Sequence, residues 1–151
     1  MKRSVLSVVC LTALTLAACE QRSMASNTKI CADFKAAKAA PAVTGDDGAG
    51  PLDECVKRWA YSLASSGDSA EVVGDAAVAA CSTQLSRWNQ QSLSAPGGVG
   101  EGPSLLTGEL TTPLGEHNTF AQNRALFYVV QARAGNCAPP LAKDGVPEGI
   151  S

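Results

Sequence analysis

Apolar side chains recur every three or four positions between residues 51 and 92, the spacing that places them on one face of an α-helix. The pattern is interrupted by Ser-Ser-Gly at 65–67, a sequence typical of a helix end. Asp68 and Glu71 then have the spacing of a capping box, which predicts a second helix over about 69–92. The side chains predicted to point inward are Leu52, Cys55, Val56, Trp59, Ala60 and Leu63 from the first helix and Val73, Ala76, Ala77, Ala80, Cys81 and Trp88 from the second.

The joint between these two helices is so short that they must lie antiparallel, with residues equally far from the turn at the same level. Cys55 and Cys81 each lie about 13 residues from position 68, which is roughly 20 Å along each helix. Trp59 faces Ala77 in this register, and a large ring opposite a small residue lets two helix axes approach closely. The hairpin therefore favours a Cys55–Cys81 disulfide.

A last long helix is predicted near the C-terminal end of the chain. Thr112 and Pro113 suit its N-cap and first position, and the pattern runs to about Ala134. Gly135 is suited to the position after the helix, and Arg133 to the negative end of its dipole. Because the apolar residues of this segment cover more than one face, we expect the helix to lie centrally against the hairpin.

The remaining segments carry weaker patterns. Residues 30–40 are predicted to form a short helix, and residues 94–113, which are rich in Gly and Pro, a long surface loop. The segment 138–151 holds three prolines and is predicted to be a flexible tail. The predicted fold class is all-α, a small domain of three or four helices that contains an antiparallel helical hairpin.

The N-terminal end of the chain has the organisation of an export signal. Cations at positions 2 and 3 precede an uncharged apolar run over 4–16, roughly 13 residues long or about 20 Å as a helix. A permanent membrane span needs roughly 20 residues, so the run is typical of a signal peptide. It ends in Leu-Ala-Ala-Cys at 16–19, which resembles the lipobox of bacterial lipoprotein precursors. The alternative is an ordinary secretory signal with a cysteine near its cleavage site.

This resemblance implies cleavage before Cys19 and attachment of diacylglycerol to its thiol, with a further acyl chain on the freed amine. Each buried CH₂ contributes about 0.8 kcal/mol, so two or three acyl chains hold a protein on a membrane without a transmembrane helix. Glu20 stands where an aspartate would imply retention in the inner membrane, which favours the outer membrane. The implied organisation is a signal peptide over 1–18, a lipidated tether over 19–29, a helical domain over 30–137 that faces the periplasm, and the tail over 138–151.

Charge and composition narrow the classes of partner. Loss of the two signal cations changes the formal charge from −2 to −4, and no basic stripe remains, so nucleic acid is not an expected partner. Aromatic residues make up only 5% of the chain, which predicts a thin, closely packed core. A small domain with such a core needs covalent support.

The cysteines can supply that support. Cys10 leaves with the signal peptide and Cys19 carries the lipid, which leaves Cys31, Cys55, Cys81 and Cys137. An even number of cysteines in an exported chain predicts two disulfides, with three pairings possible. Because the hairpin favours Cys55–Cys81, the second bond is expected to join Cys31 and Cys137. A metal site is the alternative, but the chain has no Cys-x-x-Cys spacing and a single histidine.

Catalytic motifs are weak throughout the chain. His117 is the only histidine, so a Ser-His-Asp or Cys-His unit would have to use it, yet its place in a first helical turn beside Glu116 is normal for a solvated residue. Gly-Asp-Ser-Ala at 67–70 is similar to the serine block of GDSL-type hydrolases, but their later Asp-x-x-His is absent. The glycine run at 97–102 lacks the Lys-Ser/Thr of a phosphate loop. We therefore predict no catalytic residue, cofactor or metal.

Two sets of side chains are candidates for binding. Four arginines are candidates for contact with an anion or with peptidoglycan, and scattered solvated charges are the alternative: Arg58, Arg87, Arg124 and Arg133. Two tryptophans, Trp59 and Trp88, are candidates for a ligand groove, and core positions are the alternative. The exposure of these side chains in the folded protein would distinguish the binding roles from the alternatives.

Three segments resemble small, uncharacterised secreted proteins of alphaproteobacteria. They are Cys-Val-Lys-Arg-Trp-Ala-Tyr at 55–61, Ala-Ala-Cys at 79–81 and Val-Gln-Ala-Arg-Ala-Gly-Asn-Cys at 130–137. The resemblance implies a helical, cysteine-containing exported domain and brings no activity with it.

The function expected from these features is that of a non-enzymatic envelope lipoprotein that binds or supports an envelope protein or peptidoglycan. The alternative is a small-ligand binder with a pocket between the last helix and the hairpin, lined by Trp88 and Phe127. A hydrolase would need His117 within hydrogen-bond reach of a serine and a carboxylate.

Overall fold

The computed structural model describes residues 27–34, 48–96, 100–104 and 107–150. The predicted signal peptide, Cys19, most of the tether and the second half of the helix predicted over 30–40 lie outside these residues. Over the described ranges the elements are a 3₁₀ turn at Thr28–Ile30, α1 (Ala49–Leu63), α2 (Ala70–Ala80), α3 (Ser82–Ser94), β1 (Gly102–Pro103), β2 (Leu110–Thr111), α4 (Pro113–Gly135), β3 (Ala142–Lys143) and β4 (Val146–Pro147). The prediction of a small helical domain with two disulfides is confirmed.

Helix α1 forms where the apolar spacing predicts it and begins two residues before Pro51. Its inward stripe is fully buried at Leu52, Val56 and Ala60. Tyr61 is also buried, and its hydroxyl donates to Oε1 of Gln131 at 2.9 Å, so one ring joins α1 to α4. Such a stripe of buried residues removes a continuous apolar area from water and fixes the position of α1 in the core.

The second predicted helix is divided in two by Cys81. Its backbone N–H bonds to the carbonyl of Val78 at 3.0 Å, a tight i→i−3 turn, and its own carbonyl starts α3 by accepting from Leu85 at 3.1 Å. Cys, Ser and Thr follow one another at 81–83, and all three are weak helix formers. Ser69 caps α2 by accepting from the N–H of Val72, so the prediction of Asp68 as the N-cap is wrong by one residue.

Both predicted disulfides are present. Cys55 and Cys81 are fully buried and joined with their Cα atoms 5.9 Å apart, and Cys31 and Cys137 are joined with theirs 5.5 Å apart. Their equal distances from the turn therefore predicted the Cys55–Cys81 pair correctly. Val73 and Ala77 share the buried face of α2 with Cys81, whereas the residues predicted inward at 76 and 80 are exposed.

Helix α4 is the centre of the domain and contacts α1, α2 and α3. Thr112 caps it by accepting from the N–H of Gly115, as predicted. The left-handed residue at its end is Asn136, with φ 49°, and not Gly135 as predicted. Gly135 is required for a different reason, since a Cβ there would lie 2.5 Å from the Sγ of Cys137 and 2.9 Å from the Sγ of Cys31.

The buried face of α4 is made of small and medium side chains, and several of its large apolar side chains point outward. Ala121, Ala125, Val129 and Ala132 are buried, whereas Phe127 and Val130 are each 52% exposed. Alanines at the centre of a helical domain let neighbouring helices approach closely, and this is how a chain with few aromatic residues fills its core. None of the described helices is long and apolar enough to cross a membrane.

Two short hairpins complete the described fold. In the 94–113 segment, β1 pairs antiparallel with β2, although no strand was predicted there. In the 138–150 segment, predicted as a flexible tail, β3 pairs antiparallel with β4. Asp144 and Gly145 at its turn both have positive φ, 52° and 81°, the combination that Asp-Gly provides in a two-residue hairpin. Glu148 donates its N–H to the carbonyl of Leu141 at 2.8 Å and continues the pairing.

Candidate functional site

A cavity of about 600 Å³ lies where residues 31–34 meet α1 and the segments that flank the C-terminal hairpin. Three parts of the chain line it: the segment after the 3₁₀ turn, α1 and the C-terminal segment. The lining residues are Cys31, Ala32, Asp33, Phe34, Arg58, Ala138, Pro139, Pro140, Leu141, Glu148 and Gly149. The volume lies in the usual range of small-molecule pockets, about 300–1,000 Å³.

Arg58 forms the charged wall of this cavity and is only 5% exposed. Its guanidinium pairs with Glu54 of the same helix at 2.7 Å, donates to the carbonyl oxygen of Glu148 at 2.5 Å, and lies 5.2 Å from the centre of the Phe34 ring. Its Nε is buried and has no hydrogen-bond partner. A buried guanidinium is stable only when most of its donors are satisfied, so these contacts hold the C-terminal hairpin against α1.

Gly149 makes the close approach of the hairpin to Arg58 feasible. Its φ is +84°, a conformation that L-residues rarely adopt, and a Cβ there would lie 2.8 Å from the Cζ of Arg58. The sequence prediction missed this site because its three segments are far apart in the chain. The Asp-Gly pair at 144–145 was the available local signal for the hairpin.

His117 lies in a second polar cluster, between α3 and α4, and is 6% exposed rather than solvated. Its Nδ1 is 2.7 Å from Oδ1 of Asn89, and its Nε2 is 3.3 Å from Oγ of Ser92. Its ring stacks on Trp88 with the centroids 3.5 Å apart. Because an amide oxygen only accepts, Nδ1–H donates to Asn89 and Nε2 is left to accept from the Ser92 hydroxyl.

The electrostatics of the cluster favour a neutral imidazole. Burial lowers the pKa of His117 below its ordinary value, and the charge of Glu116 opposes that change only in part. The cluster contains a serine and an amide where a Ser-His-Asp unit would have a serine and a carboxylate. The cavity beside Arg58 is lined by other residues, and Ser92 is not among them.

A third cluster joins α1 to α4 through Asp53. Its carboxylate accepts from Nε of Arg124 at 2.6 Å and from the Tyr128 hydroxyl at 2.8–2.9 Å. Burial, followed by the hydrogen bond to Asp53, raises the pKa of Tyr128. The hydrogen bond to Asp53 also raises the pKa of Arg124. Each charge here has a partner, as expected of a structural ion pair between two helices.

The arginines predicted as candidates for one anion site do not share a function in the structure. Arg58 and Arg124 bind the partners given above, and Arg133 donates to the carbonyl oxygens of residues 64, 66 and 68 in the joint between α1 and α2. Arg87 is exposed and lines a hollow of about 360 Å³ on α3. Three of the four arginines therefore hold parts of the domain together, and Arg87 lines the exposed hollow on α3.

Neither the cavity beside Arg58 nor the hollow on α3 is the pocket predicted between the last helix and the helical hairpin. Trp88 packs on His117 and Phe120, and Phe127 is 52% exposed, so the two rings do not enclose a ligand site together. Trp59 is partly buried against the core. Within the described ranges, no three His, Cys, Asp or Glu side chains are placed to hold a metal ion. No family model matches the chain, and neither curated proteins nor solved structures contain a significant match.

Proposed function

We propose that this chain is a lipoprotein held on a membrane by acyl chains at Cys19, with its helical domain facing the periplasm and the outer membrane favoured by Glu20. The observation that carries the proposal is the pairing of every described cysteine: Cys31 with Cys137 and Cys55 with Cys81. Disulfides of this kind indicate an oxidising compartment outside the cytoplasm. Cys19 remains as the cysteine of the Leu-Ala-Ala-Cys motif.

Replacement of Cys19 tests the anchor. Cys19→Ser removes the thiol that would be acylated, so we expect the protein to move from the membrane fraction to the soluble periplasmic fraction. Cys10→Ser is the matched control, because Cys10 would leave with the signal peptide and its loss should change nothing. Intact-mass measurement should show a chain that starts at residue 19 and carries acyl groups. A mature chain without acyl groups, or an unchanged membrane fraction for Cys19→Ser, would refute the anchor.

We further propose that the domain is a non-enzymatic module that binds a polar envelope component such as peptidoglycan. The exposed face of α3 supports this role, since hydroxyl, amide and guanidinium groups surround its hollow: Ser82, Thr83, Ser86, Arg87 and Gln90. Co-sedimentation with isolated peptidoglycan should be lost in Arg87→Glu and kept in Lys143→Glu, an equal charge change on the C-terminal hairpin. Equal binding by both variants would exclude this face.

Binding of a small ligand is the second candidate function, and the 600 Å³ cavity beside Arg58 favours it. Anilinonaphthalene sulfonate, an apolar anion, is a suitable probe because the cavity combines Phe34 and prolines with a guanidinium. We expect its fluorescence to rise with the folded protein and to fall in Leu141→Asp, at an exposed position on the cavity wall. Leu110→Asp is the control, since Leu110 is equally exposed and does not line the cavity. No difference between the two variants would reject the cavity as the binding site.

The non-enzymatic part of the proposal has a direct test at Ser92. If its contact with His117 only stabilises the fold, any hydrolysis of p-nitrophenyl acetate by the purified domain should be the same for the wild type and for Ser92→Ala. A rate that depends on Ser92 and on His117 would instead make the domain a hydrolase.

A further inference from the structure

The outward face of α4 carries an apolar strip made of Leu126, Phe127, Val130 and Ala134. The first three are 37%, 52% and 52% exposed, and Ala134 is exposed as well. At 100° per residue these four positions fall on one side of the helix, opposite the buried Ala125, Val129 and Ala132. Large apolar side chains grouped on one exposed face are uncommon in a small domain and mark contact surfaces.

The strip is confined to the C-terminal half of α4. One turn earlier on the same face the exposed residue is Asn123, and Glu116 lies about three turns before Phe127. The outward face therefore changes from polar to apolar along the helix. A contact surface built on α4 would involve its C-terminal end and not its whole length.

The chain enters the domain beside this same end. Nε2 of Gln131, the residue next to Val130, donates to the carbonyl oxygen of Ile30 at 2.8 Å. The disulfide between Cys31 and Cys137 fixes that entry point to a residue two positions after the end of α4. The beginning of the domain and the apolar strip are thus neighbours, although they are about a hundred residues apart in sequence.

The length of the tether then limits how far the strip can be from a membrane. From Cys19 to Asn27 there are eight residue steps, which span at most about 29 Å even when fully extended. Helix α4 alone, with 23 residues, is about 35 Å long. The tether therefore keeps the start of the domain within a distance of the membrane surface that is shorter than α4. The end of the domain nearest the anchor is the end that carries the strip.

We propose that the apolar strip of α4 docks on the lipid surface, with Phe127 and Val130 at the boundary between headgroups and acyl chains. The proposal rests on the anchor at Cys19 proposed above. Exposed aromatic and aliphatic side chains become more stable when they leave water at such a boundary. The charge beside the strip is compensated, because Arg124 lies 5.6 Å from the centre of the Phe127 ring and is paired with Asp53 at 2.6 Å. Docking should therefore depend little on salt.

A tryptophan at position 127 tests the docking in the acylated protein. The purified lipoprotein is reconstituted in phosphatidylcholine vesicles with and without brominated acyl chains, which quench tryptophan only at short range. Phe127→Trp should lose emission in brominated vesicles beyond the loss shown by the wild type, whose Trp59 and Trp88 give the background. Leu110→Trp is the matched control, because Leu110 is 77% exposed and precedes the opposite end of α4. It should be quenched no more than the wild type.

The possible results separate the docking from the anchor. An acylated protein in which positions 127 and 110 are quenched alike, or not at all, overturns the docking and leaves the anchor intact. A mature chain without acyl groups refutes the anchor. It overturns the docking as well, because no tether would then hold the strip close to the membrane. Sedimentation of the Cys19→Ser protein tests the competing occupant. A dimer that Phe127→Ser abolishes would make the strip a surface between two copies of this chain and would overturn the proposal.

Discussion

Substitution of alanine at two helical glycines should change the stability of the domain in opposite directions. In α4, a Cβ on Gly135 would lie 2.5 Å from Sγ of Cys137, 2.9 Å from Sγ of Cys31 and 3.2 Å from Cγ1 of Ile30. In α2, a Cβ on Gly74 would meet its nearest neighbours at 3.5–3.6 Å, which is ordinary van der Waals contact. The same added methyl group is therefore accommodated at one site and overlaps a disulfide at the other.

The magnitudes follow from two competing effects. Alanine is about 1 kcal/mol more favourable than glycine inside a helix, so Gly74→Ala should raise the free energy of unfolding by about that amount. At Gly135 the same gain is offset by overpacking, which typically costs about 1–3 kcal/mol in a packed interior and more where the neighbour cannot move. The two sulfur atoms are covalently fixed, so we expect Gly135→Ala to lose about 1–2 kcal/mol overall.

Urea unfolding of the oxidised mature domain, followed by circular dichroism, measures both effects. Gly50→Ala is the control for the effect of helix propensity alone, because nothing lies within 4 Å of its added Cβ in the first turn of α1, and it should be no less stable than the wild type. If Gly135→Ala is as stable as Gly74→Ala, the close packing of α4 against the disulfide is not what selects glycine at this position.

Three further outcomes are expected. Replacing Cys55 and Cys81 by alanine should lower the free energy of unfolding by about 3.6 kcal/mol, the chain-entropy value for a loop of this size, as measured by chemical denaturation. Burial lowers the pKa of His117, so the unfolded chain binds a proton at this residue at a higher pH than the folded chain does. The contribution of His117 to the free energy of unfolding should therefore be full above about pH 6.5 and fall as the pH drops below it. His117→Gln should flatten that part of a pH–stability curve. Asp53→Asn should cost about 1–2 kcal/mol and lower the pKa of Tyr128 in an ultraviolet titration, and an unchanged titration would contradict the assigned hydrogen bond.

The parts of the fold that depend on local spacing could be predicted from the sequence. The position of α1 follows from its apolar period, and the Cys55–Cys81 bond follows from equal distances to a short turn. The N-cap at Thr112 depends on two adjacent residues and was also correct. These features need only the geometry of a single helix or of one hairpin.

The features that were missed depend on which neighbours surround a residue. His117 looked solvated because Asn89 and Ser92, the residues that bind it, come from α3 and lie 25–28 positions earlier in the chain. The outward position of Phe127 was hidden because helix α4 has apolar residues on both sides, and close packing of alanines decided which side is buried. The cavity wall was missed because no single segment forms it.

The bond between Cys31 and Cys137 also determines what happens to a domain that a protease has cut. Any single cleavage between these two residues leaves both fragments covalently joined, since one fragment keeps Cys31 and the other keeps Cys137. A nick in the exposed 94–96 stretch or at 100–103 would therefore go unnoticed on a non-reducing gel. Whatever holds the N-terminal fragment in place therefore also retains the C-terminal one, so a single cut between Cys31 and Cys137 releases no fragment until the sulfur–sulfur bond is reduced.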